Sequence, residues 1–120
     1  MTTKLSFTKS QRLLSRDDFS RVYQEDHFAA DNVLVIRARR HSGPSRLGLA
    51  VSKKVGNAVV RNRWKRRIRE AFRQQQHDLP SGLEIVVRPR KGATCDFDAI
   101  SRSISKLMQR LDKKMPKSAT

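Results

Sequence analysis

Residues 53–73 read KKVGNAVVRNRWKRRIREAFR and hold nine lysine and arginine side chains against one acid, Glu70. The net charge of this stretch is therefore +8, half of the +16 that the whole 120-residue chain carries. Guanidinium groups bind phosphate oxygens through paired hydrogen bonds that the ammonium group of lysine does not make. A solvated helix face normally mixes both signs of charge, because opposite charges four residues apart stabilise a helix. A run of one sign predicts instead a surface that binds a polyanion, with nucleic acid as the first candidate.

The spacing within this stretch predicts how a helix presents the cations. Asn57 is suited to cap a helix from about Ala58 to Gln76. At about 100° per residue, an apolar stripe faces the core and a polar row projects from the opposite side. Trp64 falls in the apolar stripe, which favours packing over base stacking. The stripe contains Val60, Trp64, Ile68, Ala71 and Phe72, and the outward row contains Asn62, Arg66, Arg69 and Arg73, with Lys65 and Arg63 beside it.

A second helix is predicted near the N-terminus, from about Arg16 to Gln24. Ser15 followed by Asp18 matches a capping box, and Leu14 and Phe19 stand at the offsets of a hydrophobic staple. Phe19, Val22 and Tyr23 then recur at helical spacing, which predicts one apolar face.

The remaining segments predict a small sheet. Residues 33–39 and 47–51 have the composition of strands, and the Gly-Pro turn between them predicts an antiparallel hairpin. A further strand is expected at 85–88, ending at Pro89. Asp96 is suited to cap a last helix whose apolar positions run from Phe97 to Leu111. Helices that cover a small sheet form an α+β domain.

Several classes of protein are disfavoured by what the sequence contains. The length fits a single domain, residues 1–120, with flexible ends at about 1–12 and 113–120. Spanning a bilayer takes about 18 consecutive apolar residues, and no apolar run in the chain approaches that length. The chain also has no signal-peptide pattern, so a cytoplasmic protein is expected. Cys95 is the only cysteine, and the three histidines, His27, His41 and His77, have no catalytic partner at motif spacing. We therefore expect no catalytic residue, metal site or cofactor on the protein itself.

The string SKKVGNAVVRNRWKRRIRE, residues 52–70, closely resembles the signature of the ribonuclease P protein family. The likeness extends to RLLSRDDFSRVY at 12–23, to RLGLAVS at 46–52, to IVVRPRKG at 85–92 and to the apolar spacing of the last helix. It covers nearly the whole chain. Trp64 is a departure, since the family usually carries an aliphatic residue at that position.

The resemblance implies both a fold and an activity. The fold is a mixed sheet in the order α-β-β-(β)-α-β-α, a two-layer sandwich similar to domain 2 of ribosomal protein S5, with an unusual left-handed β-α-β crossover. The activity is that of an RNA-binding subunit, monomeric in the holoenzyme, which helps a catalytic RNA to remove the 5′ leader of precursor tRNA. The Mg²⁺ that this reaction requires belongs to the RNA.

The resemblance also assigns residues. Phe19 and Tyr23 match the aromatic positions that contact the single-stranded leader, although packing between helix and sheet explains both rings equally well. A structural, ribosomal-type RNA-binding protein is the alternative function, because it needs a cationic face and no catalytic group. The residues implied for the catalytic RNA are Lys53, Lys54, Arg61, Asn62, Arg63, Lys65, Arg66 and Arg69, with Arg73 from the outward row and Arg90 at the edge of the surface.

Overall fold

The computed structural model describes residue 12 and residues 15–25 and 27–115, and within them the chain forms helices on either side of a sheet. The order is the predicted one, with the optional strand present. The helices are α1 (Arg16–Gln24), α2 (Ala58–Gln75) and α3 (Phe97–Lys114), the strands are β1 (His27–Ala30), β2 (Leu34–Arg40), β3 (Arg46–Leu49) and β4 (Leu83–Pro89), and a 3₁₀ turn occupies Lys53–Val55.

Each helix begins at the residue that its sequence predicts. The side chain of Ser15 accepts a hydrogen bond from the backbone N–H of Asp18 at 3.0 Å. Asn57 and Asp96 accept in the same way from residues three positions later, at 3.0 and 2.9 Å. These bonds satisfy N–H groups that have no partner inside a helix. The predicted staple partner, Leu14, lies outside the described residues.

The predicted hairpin between β2 and β3 is wrong. The strand order is β1-β2-β4-β3, so β4 lies between them, antiparallel to β2 and parallel to β3. The reason is burial, because residues 83–87 of β4 are all buried and a strand covered on both faces belongs in the middle of a sheet. Ser45 reinforces this arrangement, since its hydroxyl accepts from the N–H of Leu83 and donates to the carbonyl of Pro80.

Helices cover both faces of the sheet unequally. The main core joins α2 and α3 to one face through residues such as Ile36, Ile85 and Phe72. A smaller apolar cluster, formed by Val22 and Val86 with Phe19 and Ala50 beside them, places α1 on the other face. The predicted two-layer sandwich therefore describes α2 and α3, whereas α1 adds a partial third layer. The left-handed crossover and the likeness to ribosomal protein S5 stay predictions.

Charged side chains fasten α1 to this second face. Glu84 of β4 is only 3% exposed and accepts from Arg46 at 2.7 Å and from Arg39 at 3.3 Å. Arg46 also lies 3.4 Å from the carboxylate of Asp18 on α1. Burial alone raises the pKa of Asp18, but hydrogen bonds from Ser15 and the charge of Arg46 outweigh it and lower the pKa. The Asp18–Arg46–Glu84 chain thus links helix and sheet.

The predicted flexible ends, 1–12 and 113–120, fall largely outside the described residues. Within them, Arg12 forms an isolated bridge with Leu47, and α3 continues to Lys114. Met115 is buried, and Arg40 donates to its carbonyl oxygen at 3.3 Å. Residues 113–115 therefore belong to the folded part of the chain.

Candidate nucleic-acid interface

Helix α2 has two chemically distinct faces, as its spacing predicts. Ile68, Ala71 and Phe72 are buried, and Trp64 is only 2% exposed. The packing prediction for Trp64 is confirmed. The opposite face is polar and exposed, and it presents Asn62, Arg63, Arg66 and Arg69, with Arg61 and Lys65 half-buried beside it.

Two arginines of α2 bind groups of the protein itself. Arg67 donates to the backbone carbonyl of Cys95, which attaches α2 to the segment before α3. Arg73 donates through Nε to the carboxylate of Glu70 at 3.0 Å. Hydrogen bonds from Arg73 and then Gln74 lower the pKa of Glu70 to about 2, and the same contact raises the pKa of Arg73. The charge of Arg73, predicted for the outward row, is therefore offset by its neighbour.

Arg69 differs from Arg73, because its surroundings lower the pKa of its guanidinium group instead of raising it. Although its side chain is exposed on this face, partial desolvation of the guanidinium group lowers its pKa, and the positive charge of Arg12 lowers it further. An anion that binds near Arg69 would relieve the repulsion between these two positive charges. Arg12 was not among the predicted binding residues, although it opens the N-terminal segment that carries the family resemblance.

The 3₁₀ turn brings two more cations to the start of α2. Lys53 and Lys54 are exposed there. Gly56 follows, and a Cβ atom at this position would lie 2.9 Å from the Cβ of Val60, closer than side chains tolerate. A residue without a side chain therefore lets the turn press directly against the first turn of α2. The two lysines and the α2 face form one basic surface.

A groove of about 690 Å³ lies between α1, the ends of β3 and β4, and the 3₁₀ turn. Tyr23 lines one wall, and Trp64 contributes to the side formed by α2. Cations surround the groove, namely Lys54, Arg88, Arg90 and Lys91. Arg88 and Lys91 were not predicted, although a single arginine at the end of an apolar strand indicates an outward-facing side chain, and Arg88 is exposed between two buried residues.

The two aromatic residues predicted for the leader have different environments. Phe19 is half-buried and packs against the small cluster of Val22 and Val86. Tyr23 is 42% exposed, and the guanidinium carbon of Arg37 lies 5.3 Å from its ring centroid. Tyr23 is therefore exposed enough to contact a ligand and Phe19 packs against the sheet, while leader contact at either ring stays a prediction.

No group of three or more metal-ligating side chains occurs among the described residues. The histidines are dispersed, and His41 has its Nε2 atom 2.7 Å from the carbonyl oxygen of Pro44. Within residue 12 and the stretches 15–25 and 27–115, no helix is both long enough and apolar enough to cross a membrane.

Comparison with known proteins gives a consistent result. The Ribonuclease P family model matches residues 7–112. The ribonuclease P protein component of Brevibacillus brevis is 40% identical over 105 residues, 85% of this chain and 83% of the relative. That of Salmonella arizonae is 43% identical over 110 residues, 89% of this chain and 92% of the relative.

Solved structures agree with the sequence comparison. The ribonuclease P protein from Thermotoga maritima superposes with a TM-score of 0.74 at 34% identity, covering 82% of this chain and 96% of that protein. The Staphylococcus aureus protein gives 0.71 at 32% identity, with 85% and 95% covered. With the family model spanning most of its length and relatives above 30% identity along nearly all of theirs, this chain belongs to the ribonuclease P protein family.

Proposed function

We propose that the chain is the RNA-binding subunit of a bacterial ribonuclease P, in which a catalytic RNA removes the 5′ leader of precursor tRNA. One observation carries the proposal. Lys54 lines the groove and also belongs to the basic surface formed by the 3₁₀ turn and the exposed face of α2, so the basic surface and the groove adjoin. A folded RNA on the basic surface therefore lies next to any single strand in the groove.

The two surfaces suit different parts of the RNA. The exposed arginines of α2 match the phosphates of a folded RNA, where paired N–H donors give strong, geometrically defined contacts. The groove offers one exposed ring, Tyr23, and several cations, the combination that binds unpaired nucleotides. We assign to the protein the binding and orientation of RNA. Mg²⁺ bound by the RNA would supply the activation of the attacking water. The enzyme would be cytoplasmic and contain one copy of this chain.

Reconstitution tests the proposal directly. The purified chain is mixed with a bacterial ribonuclease P RNA at low Mg²⁺, and leader cleavage is measured. We expect strong stimulation of the RNA and no cleavage by the protein alone. No stimulation, together with tight binding to ribosomal RNA, would favour the ribosomal alternative, which family membership already disfavours. Cleavage by the protein alone would contradict the assignment of chemistry to the RNA.

Tyr23 provides the residue-level test for the groove. Tyr23→Ala should weaken holoenzyme binding of precursor tRNA by about 5- to 150-fold, the range for loss of one base stack. Binding of mature tRNA, which has no leader, should change little. Tyr23→Phe keeps the ring and is the matched control. Equal losses for precursor and mature tRNA would show that Tyr23 only stabilises the fold.

A further inference from the structure

A second exposed aromatic ring lies near Tyr23, at the free edge of the sheet. Phe28 of β1 is 47% exposed. It pairs with Arg37 of β2, and residues directly opposite in an antiparallel pair share one face of the sheet. Arg37 alternates with buried residues of the main core, so this is the face that carries α1. Within the described residues, neither apolar cluster includes Phe28.

Two cations hold the ring of Phe28 in position. The guanidinium carbon of Arg37 lies 5.6 Å from its centroid and 5.3 Å from that of Tyr23, so one guanidinium joins both rings. From the end of α3, Lys114 places its Nζ atom 5.7 Å from the Phe28 centroid. The same Nζ donates to the carbonyl oxygen of Phe28 at 3.3 Å.

This composition selects the kind of partner. An apolar protein surface that covered Phe28 would also bury the charges of Arg37 and Lys114, which is costly without compensating anions. A nucleotide fits both features, because its base stacks on a ring and its phosphate contacts a cation. Since Tyr23 lines the groove and shares Arg37 with Phe28, a strand that leaves the groove past Tyr23 meets Phe28 next.

We propose that Phe28 is a second stacking position for an unpaired base, with Arg37 and Lys114 contacting the phosphates of that strand. The inference rests on the proposed function, in which the groove holds the precursor leader. It adds a length requirement: only a leader long enough to pass Tyr23 and reach the β1 edge gains from Phe28.

Phe28→Leu tests this proposal because it keeps apolar bulk and removes the aromatic face. The holoenzyme is reconstituted, and its affinity is measured for precursors with stepwise longer leaders and for mature tRNA. We expect a loss of about 5- to 150-fold for long leaders and no loss for short leaders or mature tRNA. Phe28→Tyr should behave like the wild type.

The outcomes separate this inference from the function on which it rests. If the wild type gains no affinity from any leader, the proposed role of the groove fails. If the wild type gains affinity with leader length and Phe28→Leu retains that gain in full, the Phe28 proposal is overturned while the groove stands. An equal loss for every substrate, mature tRNA included, would assign Phe28 a structural role and also overturn the proposal.

Two further measurements use neighbouring side chains. Phe28→Trp should show quenched emission when a long leader binds, against the buried background of Trp64, and unchanged emission would contradict stacking. Lys114→Gln should reduce the slope of log affinity against log salt for long leaders by the amount that one phosphate contact contributes. Lys113→Gln, an exposed neighbour on α3, is the matched control, and equal slopes for the two variants would exclude a phosphate contact at Lys114.

Discussion

Replacing Glu84 by glutamine should destabilise the free protein substantially, although the side chain keeps its shape. Glu84 is 3% exposed, and its two oxygens accept from Arg46 at 2.7 Å and from Arg39 at 3.3 Å. The substitution turns one acceptor into a donor that faces a guanidinium. It also leaves both arginines without their shared counter-charge.

The size of the effect follows from these contacts. A hydrogen bond to a charged group contributes about 1.5–3 kcal/mol, and breaking a fully buried ion pair costs about 3–5 kcal/mol. The side chains of Arg39 and Arg46 are 28% and 25% exposed, so water compensates part of the loss. We expect the free energy of unfolding to fall by about 2 kcal/mol. For a domain of this size that corresponds to a decrease in Tm of roughly 8 °C.

Thermal and urea unfolding followed by circular dichroism measures this difference. Glu25→Gln makes the same chemical change at an exposed residue after α1 and should shift stability by less than about 0.5 kcal/mol. If Glu84→Gln unfolds at the same temperature as Glu25→Gln, the Glu84 contacts contribute nothing to stability and the reasoning is wrong. Arg46 also contacts Asp18 on α1, the helix that borders the groove. The variant should therefore weaken leader binding more than binding of the catalytic RNA.

Three other predictions concern single residues. Arg66→Ala should reduce the slope of log affinity for the catalytic RNA against log salt by about one, whereas Arg102→Ala on α3 leaves it unchanged; a slope unaltered by Arg66→Ala would mean that Arg66 faces only water. Trp64→Ala should cost about 3–5 kcal/mol in urea unfolding, and a loss below 1 kcal/mol would contradict its core position. The contacts of Asp18 lower its pKa in the folded state. Ionised Asp18 therefore stabilises the protein at pH values above its ordinary pKa, and this contribution is lost as the pH falls through the lowered pKa. The stability difference between wild type and Asp18→Asn should therefore be constant from pH 8 to pH 5 and shrink below pH 4, and a difference independent of pH down to pH 2 would refute this.

The helices were predictable because their signals are local. Ser15, Asn57 and Asp96 each cap a helix by binding an N–H three residues later, and that chemistry is written in adjacent positions. The exposed face of α2 followed for the same reason, since helical spacing alone separates Trp64 from Arg66. The offset of Arg73 by Glu70 was also within reach, because the two residues are one turn apart.

The strand order and the aromatic edge depend on contacts between distant segments. The loop between β2 and β3 is short enough for a hairpin, and only the burial of β4 on both faces excludes it. β1 is four residues long and includes two alanines, so it carries little strand signal of its own. Without β1 in the sheet, nothing in the sequence places Phe28 beside Arg37 and Tyr23.

The position of α2 in the chain has a thermodynamic consequence for assembly. This helix is the connection between β3 and β4, two parallel neighbours that must find each other across more than thirty residues. A ligand that binds only the folded form adds its binding free energy to folding, about 2.7 kcal/mol at a concentration one hundred times Kd. RNA bound to α2 therefore stabilises the pairing of β3 with β4, the strands that α2 connects. The sheet is most stable against unfolding once the ribonucleoprotein has assembled.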